Sequence, residues 1–340
     1  MDARAPGQGA TRASAGVLAP YIEGHEDSPL RSLGRRSLDL YDQFIARVRA
    51  ASGQDVVYQR NGTFEAGFTD KEVDHLRRTA SALHRDGVEA HWIPPARFAQ
   101  HEPQISTAAL GALLIPIHGF AGVATLTEAL QIAAEKNGAT FTSETGAILI
   151  HPITAGRVGV TTSAAEWDTD KVVLAAGSWS SKITVEGADA VPVTPIRGQL
   201  LQVQHEPGAL RHSIWGSAGY LVPWPDGSVL VGATAEDVGF DERSTEEGVN
   251  KLKAAAATLV PALAQAPITS IRVGLRPKGI DDLPMIGPSS VVPGLIYSTA
   301  HYRNGVLLAP LTAQLVKELV FDRASDQALV ALAPGRHGRF

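Results

Sequence analysis

The fold is decided by residues 272–310, which read RVGLRPKGIDDLPMIGPSSVVPGLIYSTAHYRNGVLLAP. Residues 295–300 form a short apolar run suited to a buried strand, and residues 301–305 are polar and end in a glycine. From Val306 the apolar residues follow a helical face that reaches Phe321. The stretch therefore predicts a strand, a tight loop and a helix N-terminus. Because such an N-terminus offers unpaired N–H groups and a partial positive charge, we expect it to form one end of an active site.

Periodicity and turn residues predict the elements that precede this stretch. The predicted helices span residues 30–50, 69–87, 125–137 and 245–260, with capping boxes at Thr69 with Glu72 and at Thr125 with Glu128. The predicted strands span residues 61–68, 110–115, 140–145, 147–151, 157–162 and 171–176. Residues 191–204 and 219–234 alternate and carry β-branched side chains, which favours antiparallel strands, with a hairpin turn at Asp226-Gly227.

Length and composition describe a globular protein with an ordinary core. The chain has 340 residues, enough for two domains, with 44% hydrophobic and 19% charged residues. The net charge is −5, from 30 basic and 35 acidic residues, which favours neither a nucleic acid nor an anionic membrane as partner. No secretory signal and no apolar run of about 18 residues is present, so we expect a cytoplasmic protein without a membrane segment.

Several other chemistries lack the residues they need. The chain has no cysteine, hence no disulfide framework, thiolate metal site or cysteine nucleophile. His101 and His118 are interpreted as surface or turn histidines, because no second ligand stands at metal spacing, and no metal site is predicted. No G-x-S-x-G elbow, P-loop or paired-histidine motif occurs. Trp179 is expected to pack in the core near a turn.

Five motifs together resemble the glycine oxidase and D-amino acid oxidase family of flavoenzymes. They are GLRP (274–277), DxxPxIGP (281–288), HYRNGVLLAP (301–310), ASAGVLAP near the front and VVLAAGSWS in the middle. Each motif alone is loose, but their order and spacing are specific, and the resemblance covers nearly the whole chain. The sequence looks most similar to the glycine oxidases of thiamine synthesis.

The resemblance implies an α/β fold, in which a doubly wound FAD-binding domain is interleaved with an antiparallel-sheet substrate domain. The FAD-binding domain would comprise residues 1–56, 114–190 and 272–340, and the substrate domain residues 57–113 and 191–271. Residues 171–176 would form a buried parallel strand that ends near the flavin. Because the chain has no cysteine, FAD would be held without a cysteine-linked covalent bond.

The resemblance also implies FAD contacts from three parts of the chain. Asp2 matches an acid that closes the second strand of the dinucleotide fold and accepts hydrogen bonds from ribose hydroxyls. The other expected contacts are Ala10, Thr11, Ala15, Gly16 and Val17 in a small-residue loop, Ala147, Ala175 and Gly177 in the middle of the chain, and His301, Tyr302, Arg303, Asn304, Gly305, Val306 and Leu307 before and within the last long helix. His301 is assigned to cofactor contact, because hydride transfer needs no general base.

The front of the chain departs from the family pattern. A strand followed by G-x-G-x-x-G and a helix would stand about 20 residues before Asp2, and none of it lies in this sequence. GQGA at residues 7–10 is rejected as that loop, because no strand precedes it and no continuous helix follows. Either a late start codon or a real truncation fits this departure. We expect weak or no FAD binding and exposed apolar faces on residues 171–176.

Three residues are expected to carry the chemistry. A flavin accepts the hydride itself, so the protein must bind the carboxylate of an amino acid and orient its Cα–H bond. Arg276 matches the family's carboxylate clamp, and its planar fork suits both oxygens. Tyr220 matches a tyrosine that reaches the same carboxylate, and Arg303 would line the site. From the residues alone, an exposed structural arginine and a half-buried strand tyrosine stay open as alternatives for Arg276 and Tyr220.

The expected function is FAD-dependent oxidation of glycine or another small amine-bearing acid. Oxygen would accept the electrons, and an imine and peroxide would be released. One alternative is a D-amino acid dehydrogenase that passes electrons to a membrane quinone. Another is a flavin-free remnant that binds a small acid or a partner. A small amino acid and oxygen are therefore the expected partners, and a homo-oligomer stays open.

Overall fold

The computed structural model describes residues 1–23, 28–143 and 145–340. The helices are α1 (Pro20–Glu23), α2 (Pro29–Ser52), α3 (Asp70–Arg85), α4 (Phe98–His101), α5 (Val123–Lys136), α6 (Glu246–Leu259), α7 (Gly305–Val320) and α8 (Ala328–Leu332). The strands are β1 (Val17–Leu18), β2 (Tyr58–Gln59), β3 (Thr63–Gly67), β4 (His91–Ile93), β5 (Gly111–Ile115), β6 (Gly119–Ala121), β7 (Ala147–Pro152), β8 (Val158–Thr162), β9 (Glu166–Thr169), β10 (Val172–Leu174), β11 (Thr184–Val185), β12 (Thr194–Gln204), β13 (Ser213–Gly216), β14 (Gly219–Pro223), β15 (Ser228–Gly232), β16 (Ile268–Lys278), β17 (Met285–Pro288) and β18 (Leu295–Thr299).

The largest sheet has the strand order β16-β12-β15-β14-β13-β3-β5-β4. Its neighbours pair antiparallel, except for β13 and β3, which pair in parallel. Phe64, Leu201 and Leu221 lie on one face, in a core shared with α6. Because side chains alternate along a strand, Leu200 and Tyr220 lie on the opposite face, which helps to form the site described below.

A smaller sheet holds the end of the chain. Its order is β10-β18-β17; β10 and β18 run parallel with Val172 opposite Leu295, and β17 is antiparallel to β18. Leu174 is buried, whereas Val173 is 39% exposed, because within the described residues β10 pairs only with β18. The prediction of a buried strand at residues 171–176 is therefore wrong for Val173, whereas the expected exposed apolar surface on this strand is confirmed there.

Two further sheets and two long helices complete the architecture. The sheets have the orders β1-β6-β2 and β11-β7-β8-β9. Helix α2 begins after Ser28, whose hydroxyl accepts from the N–H of Leu30, and ends at Gly53 with φ 72°. Helix α7 packs against α2 and covers β17 and β18 with leucines. No helix in the described part of the chain has both the length and the apolar character to cross a membrane.

Most of the predicted elements are present. The α/β fold class is confirmed by this mixture of helices with parallel and antiparallel sheets. The capping box of Thr69 and Glu72 opens α3, Thr245 caps α6, and residues 224–227, which include Asp226-Gly227, join β14 to β15. The proposed domain boundaries stay a prediction.

Two predictions of local structure are wrong. Helix α5 begins after Gly122 rather than at Thr125, because Gly122 is already fixed by a 2.7 Å hydrogen bond from its N–H to the Val57 carbonyl. The Thr125 hydroxyl instead donates to the Gly122 carbonyl. Residues 140–143 and 145 form no strand, and Glu144 lies outside the described residues. Their backbone pairs only briefly with Asp2, whose N–H donates to the Thr142 carbonyl at 2.9 Å.

Of the two interpretations of His118, as a surface or a turn histidine, the structure supports the second, because the residue lies in the turn between β5 and β6 and away from the surface. Its side chain is fully buried, stacks on Tyr21 with ring centroids 5.5 Å apart, and lies 2.8 Å from the Thr63 hydroxyl through Nδ1. Burial lowers the pKa of His118 to about 3, so the ring is neutral at neutral pH. Among the described residues, no group of three potential metal ligands lies close enough together to hold an ion.

Candidate active site

A cavity of about 1440 Å³ lies where the front, middle and end of the chain meet. The predicted site residues that line it are Asp2, Ala10, Thr11, Val17, Ala147, Ala175, Gly177, Tyr220, Arg276, His301, Tyr302, Arg303, Gly305 and Val306. The fold thus brings together segments that are far apart in sequence.

Four of the predicted residues do not line this cavity. Ala15 and Leu307 are 2% and 3% exposed and belong to apolar cores. Gly16 packs so closely against β6 that a Cβ atom on it would lie 1.8 Å from the Ala121 carbonyl oxygen. Asn304 is buried at the start of α7. Their expected roles in FAD contact stay predictions.

The loop before α7 is tied to the strand that carries Arg276. The Tyr302 N–H donates to the carbonyl of Pro277 at 2.9 Å, and His301 forms a β-bridge with Lys278. Ala300 and Tyr302 have φ angles of 61° and 47°, in the left-handed region that non-glycine residues rarely adopt. These bonds hold a strained loop in place beside β16.

His301 is held as a neutral ring. Its Nε2 lies 3.0 Å from the hydroxyl of Thr312 on α7, and burial lowers its pKa to about 4. At neutral pH the ring carries no charge, and one nitrogen is already engaged by α7. This arrangement suits a structural or cofactor contact better than a general base.

Arg276 lies across the face of the large sheet at the cavity. Its Nη1 donates to the Thr234 carbonyl at 2.9 Å, so part of the guanidinium is fixed by the sheet. The side chain passes over Gly198 of β12, where a Cβ atom would lie 2.3 Å from Cζ. The guanidinium is therefore positioned by backbone on two neighbouring segments, as a preorganised clamp requires.

Tyr220 lies on the same cavity wall. Its ring stacks on Trp215 with centroids 4.7 Å apart and an interplanar angle of 28°. Tyr220 is opposite Gly232 in the β14–β15 pair, and its ring crosses the space that a Gly232 side chain would occupy. Stacking on one side and close backbone on the other define the ring's position.

A surface segment, residues 236–243, packs against two residues that line the cavity, and we call it the strap. The guanidinium of Arg4, which lines the cavity, pairs with Glu242 of the strap through bonds of 2.5 and 3.0 Å. Phe240 of the strap lies 5.8 Å from Trp179, over which Arg4 also stacks at 4.3 Å. Trp179 is therefore a cavity residue, and its assignment to the core is wrong.

The base of the strap is held by one buried arginine. Arg197 of β12 is 4% exposed, and its Nε donates to Glu236 at 3.1 Å. Its Nη1 lies 3.2 Å from Asp241 and donates to the Arg243 carbonyl at 3.1 Å. One cation thus satisfies both ends of the strap.

The part of the cavity between Gly177 and the N-terminus of α7, which we call the ring end, has residues that fit a flavin. Gly177 has φ 55°, and a Cβ atom on it would meet nothing within 4 Å, so a planar group can approach the backbone there. Asn304 gives α7 no side-chain cap, which leaves the first N–H groups of α7 for an external acceptor such as a ring oxygen. Within the described residues, no G-x-G-x-x-G turn opens a helix.

Sequence reasoning missed the residues that support the clamp and the strap. Gly198 stands inside β12 and Gly232 is the last residue of β15, and a glycine within a strand pattern is a signal of close approach by another group. Arg4, Glu242 and Arg197 gave no local signal, because their pairing depends on segments more than 30 residues apart.

Comparison with known proteins agrees with this geometry. The chain is 31% identical over 333 residues to a glycine oxidase of Geobacillus kaustophilus (strain HTA426), covering 97% of this chain and 88% of that protein. The crystal structure of glycine oxidase from Geobacillus kaustophilus superposes with a TM-score of 0.92 at 30% identity, covering 97% of this chain and 90% of that one.

A bifunctional protein ThiO/ThiG of Trichormus variabilis is 31% identical over 324 residues, which are 94% of this chain and 48% of that protein. The chain thus spans about half of the bifunctional relative. The FAD dependent oxidoreductase family matches residues 1–319. With this match, the relatives and the flavin-compatible cavity in agreement, the chain belongs to the family of FAD dependent oxidoreductases.

Proposed function

We propose that this FAD-dependent enzyme oxidises glycine or another small amine-bearing acid and uses oxygen as the electron acceptor. The observation that carries the proposal is the fixed guanidinium of Arg276 on the wall of the cavity, beside the loop that precedes α7. Relatives described as glycine oxidases, at 31% and 30% identity, support the substrate class.

Three residues of the chain would bind and orient the substrate in such a reaction. Arg276 binds the substrate carboxylate through its guanidinium, and Tyr220, on the same wall, donates its hydroxyl to that carboxylate. Arg303 lines the cavity at the loop before α7. With the carboxylate held at this wall, the substrate Cα–H bond is directed towards the ring end of the cavity.

FAD, when bound, would supply the acceptor for the hydride from the substrate Cα and the route by which two electrons reach oxygen, which is reduced to peroxide. The amine loses a proton and becomes an imine, which water converts to a 2-oxo acid and ammonia. The N-terminus of α7, with its partial positive charge, would favour negative charge on a ring held against it. His301, neutral at pH 7, contributes position rather than proton transfer.

The test is a peroxide assay on the flavin-loaded chain in air. With glycine or sarcosine and no added acceptor, we expect stoichiometric peroxide and 2-oxo acid. Turnover only in the presence of a quinone or an artificial dye would replace the oxidase proposal with a dehydrogenase. A flavin-loaded chain that is not reduced anaerobically by any small amine-bearing acid would contradict the substrate class itself.

A further inference from the structure

Two strand glycines lie directly beneath the side chains assigned to the substrate carboxylate. Gly198 stands in β12 under Arg276, and Gly232 stands at the end of β15 under Tyr220. Glycine weakens a strand interior, because it has no side chain to pack and more backbone entropy to lose. Strand stability therefore does not explain why glycine occupies positions 198 and 232 on this wall of the cavity.

The geometry at Gly198 is that of a planar group resting on the backbone. A Cβ atom on Gly198 would lie 2.3 Å from each of Cζ, Nη1 and Nη2 of Arg276. Three equal distances place this Cβ position off the guanidinium plane and over the edge between Nη1 and Nη2, so one face of the fork lies against the Gly198 backbone. One N–H group of the fork, on Nη1, donates to the Thr234 carbonyl.

The geometry at Gly232 is similar. A Cβ atom there would lie 2.3 Å from Cζ, 2.4 Å from the hydroxyl oxygen and 2.5 Å from Cε2 of Tyr220. The phenol end of Tyr220 thus lies across Gly232, while its ring stacks on Trp215. Side chains at positions 198 and 232 would push the Arg276 guanidinium and the Tyr220 hydroxyl away from the sheet.

We propose that Gly198 and Gly232 are positioning residues, whose missing Cβ atoms let Arg276 and Tyr220 lie close against the backbone of the sheet and so set the plane in which the substrate carboxylate is bound. The inference rests on the proposed function of Arg276 and Tyr220. A bidentate carboxylate lies in the plane of the fork that binds it. A carboxylate on Arg276 is therefore held in the plane of the fork, which restricts the directions that the substrate Cα–H bond can take.

An alanine at Gly198 tests this directly. Gly198 does not have a φ angle in the left-handed region, so alanine is compatible with its backbone. The alanine methyl group would meet the guanidinium of Arg276. Because this guanidinium is the far end of a flexible side chain, it should move while the strand stays in place. In the flavin-loaded protein, we expect Gly198→Ala to raise the dissociation constant of acetate, measured by calorimetry, by about 10- to 100-fold. The kcat/KM for glycine should fall by a similar factor.

Two controls separate positioning from general damage. Gly335→Ala adds a methyl group where nothing lies within 4 Å and should leave acetate binding unchanged. Acetamide, which has no charge, should bind the parent and the Gly198→Ala protein alike. The same comparison of Gly232→Ala with Tyr220→Ala tests the second glycine.

A double-mutant cycle provides the decisive readout. A lysine at position 276 has no planar fork above Gly198, so Gly198→Ala should change acetate binding less than 2-fold in an Arg276→Lys background. Equal effects of Gly198→Ala in both backgrounds would overturn the inference. If Gly198→Ala alone does not fold, the double variant should fold, because the group it would meet has been removed; an unfolded double variant overturns the inference as well.

The outcomes also separate this inference from the proposed function. If acetate binding is insensitive to Arg276→Lys, the carboxylate clamp itself is wrong. If acetate binding falls with Arg276→Lys but not with Gly198→Ala, the clamp stands and the role of the glycine is refuted.

Discussion

Replacing Glu65 by glutamine should make the protein more stable above neutral pH and should not change its stability in mild acid. Glu65 lies on β3, opposite Leu113 of β5 and Trp215 of β13. Burial raises the pKa of its carboxyl to about 7, and no neighbouring charge offsets the effect. The folded protein therefore prefers the protonated form, whereas the unfolded chain ionises near 4.5.

The sign and size of the effect follow from proton linkage. Because the folded pKa is raised, the contribution of Glu65 to stability is complete below about 4.5 and is lost as the pH rises to about 7. The separation of these two values corresponds to ~3 kcal/mol. Since Glu65 is only half-buried, we expect a loss of ~2 kcal/mol in the parent protein, which Glu65→Gln should abolish.

Equilibrium urea unfolding at several pH values between about 4.5 and about 8.5 measures this difference. The stability curves of the parent and of Glu65→Gln should meet in acid and separate by ~2 kcal/mol in base. Glu128→Gln, on the exposed side of α5, removes the same formal charge and should not reproduce the separation. Parallel curves for the parent and Glu65→Gln across the whole range would refute the burial argument.

Two further predictions concern the arginines of the large sheet. Arg276→Lys should raise the KM for glycine by roughly 10- to 100-fold and leave the flavin spectrum unchanged, because one charge-assisted fork contact is lost; unchanged steady-state kinetics would remove Arg276 from the site. Arg197→Met should lower the free energy of unfolding by ~2–4 kcal/mol, because the strap carboxylate of Glu236 loses its buried partner. Arg157→Met, at an exposed ion pair with Asp168, is the matched control and should leave urea unfolding unchanged. Equal losses of stability in both variants would contradict the stabilising role of the buried Arg197–Glu236 pair.

The elements that could be predicted from sequence are those whose causes are local. Thr69 and Glu72 cap α3 through bonds to residues within the same turn, and the hairpin turn at residues 226–227 needs only its own two residues. The start of α5 could not be predicted, because Gly122 is fixed by Val57, far away in sequence. Likewise the burial of His118 depends on Tyr21 and Thr63.

The same division applies to the candidate site. The segments at residues 272–310 and 171–177 carried motifs that are contiguous in the chain, and the structure places both on one cavity. The backbone beneath Arg276 could not be predicted in this way. Gly198 lies on the partner strand, and only the register of β12 and β16 brings the two residues together. A register is set by the whole sheet, and no local pattern specifies which residue a side chain will cross.

The pairing of β10 with β18 has a consequence for the order of synthesis. Leu174 meets Tyr297 in that pair, so the turn at Gly177 emerges long before the strand that supports it. At ~5–20 residues per second, the intervening segment takes on the order of ten seconds to translate. During that interval β10 lacks its partner strand β18. Its unpaired edge can therefore pair with another chain, at the place where the cavity will form. If the flavin ring binds against the N-terminus of α7, as proposed, its site is complete only after α7 has left the ribosome, so FAD would bind late in the synthesis and folding of the chain.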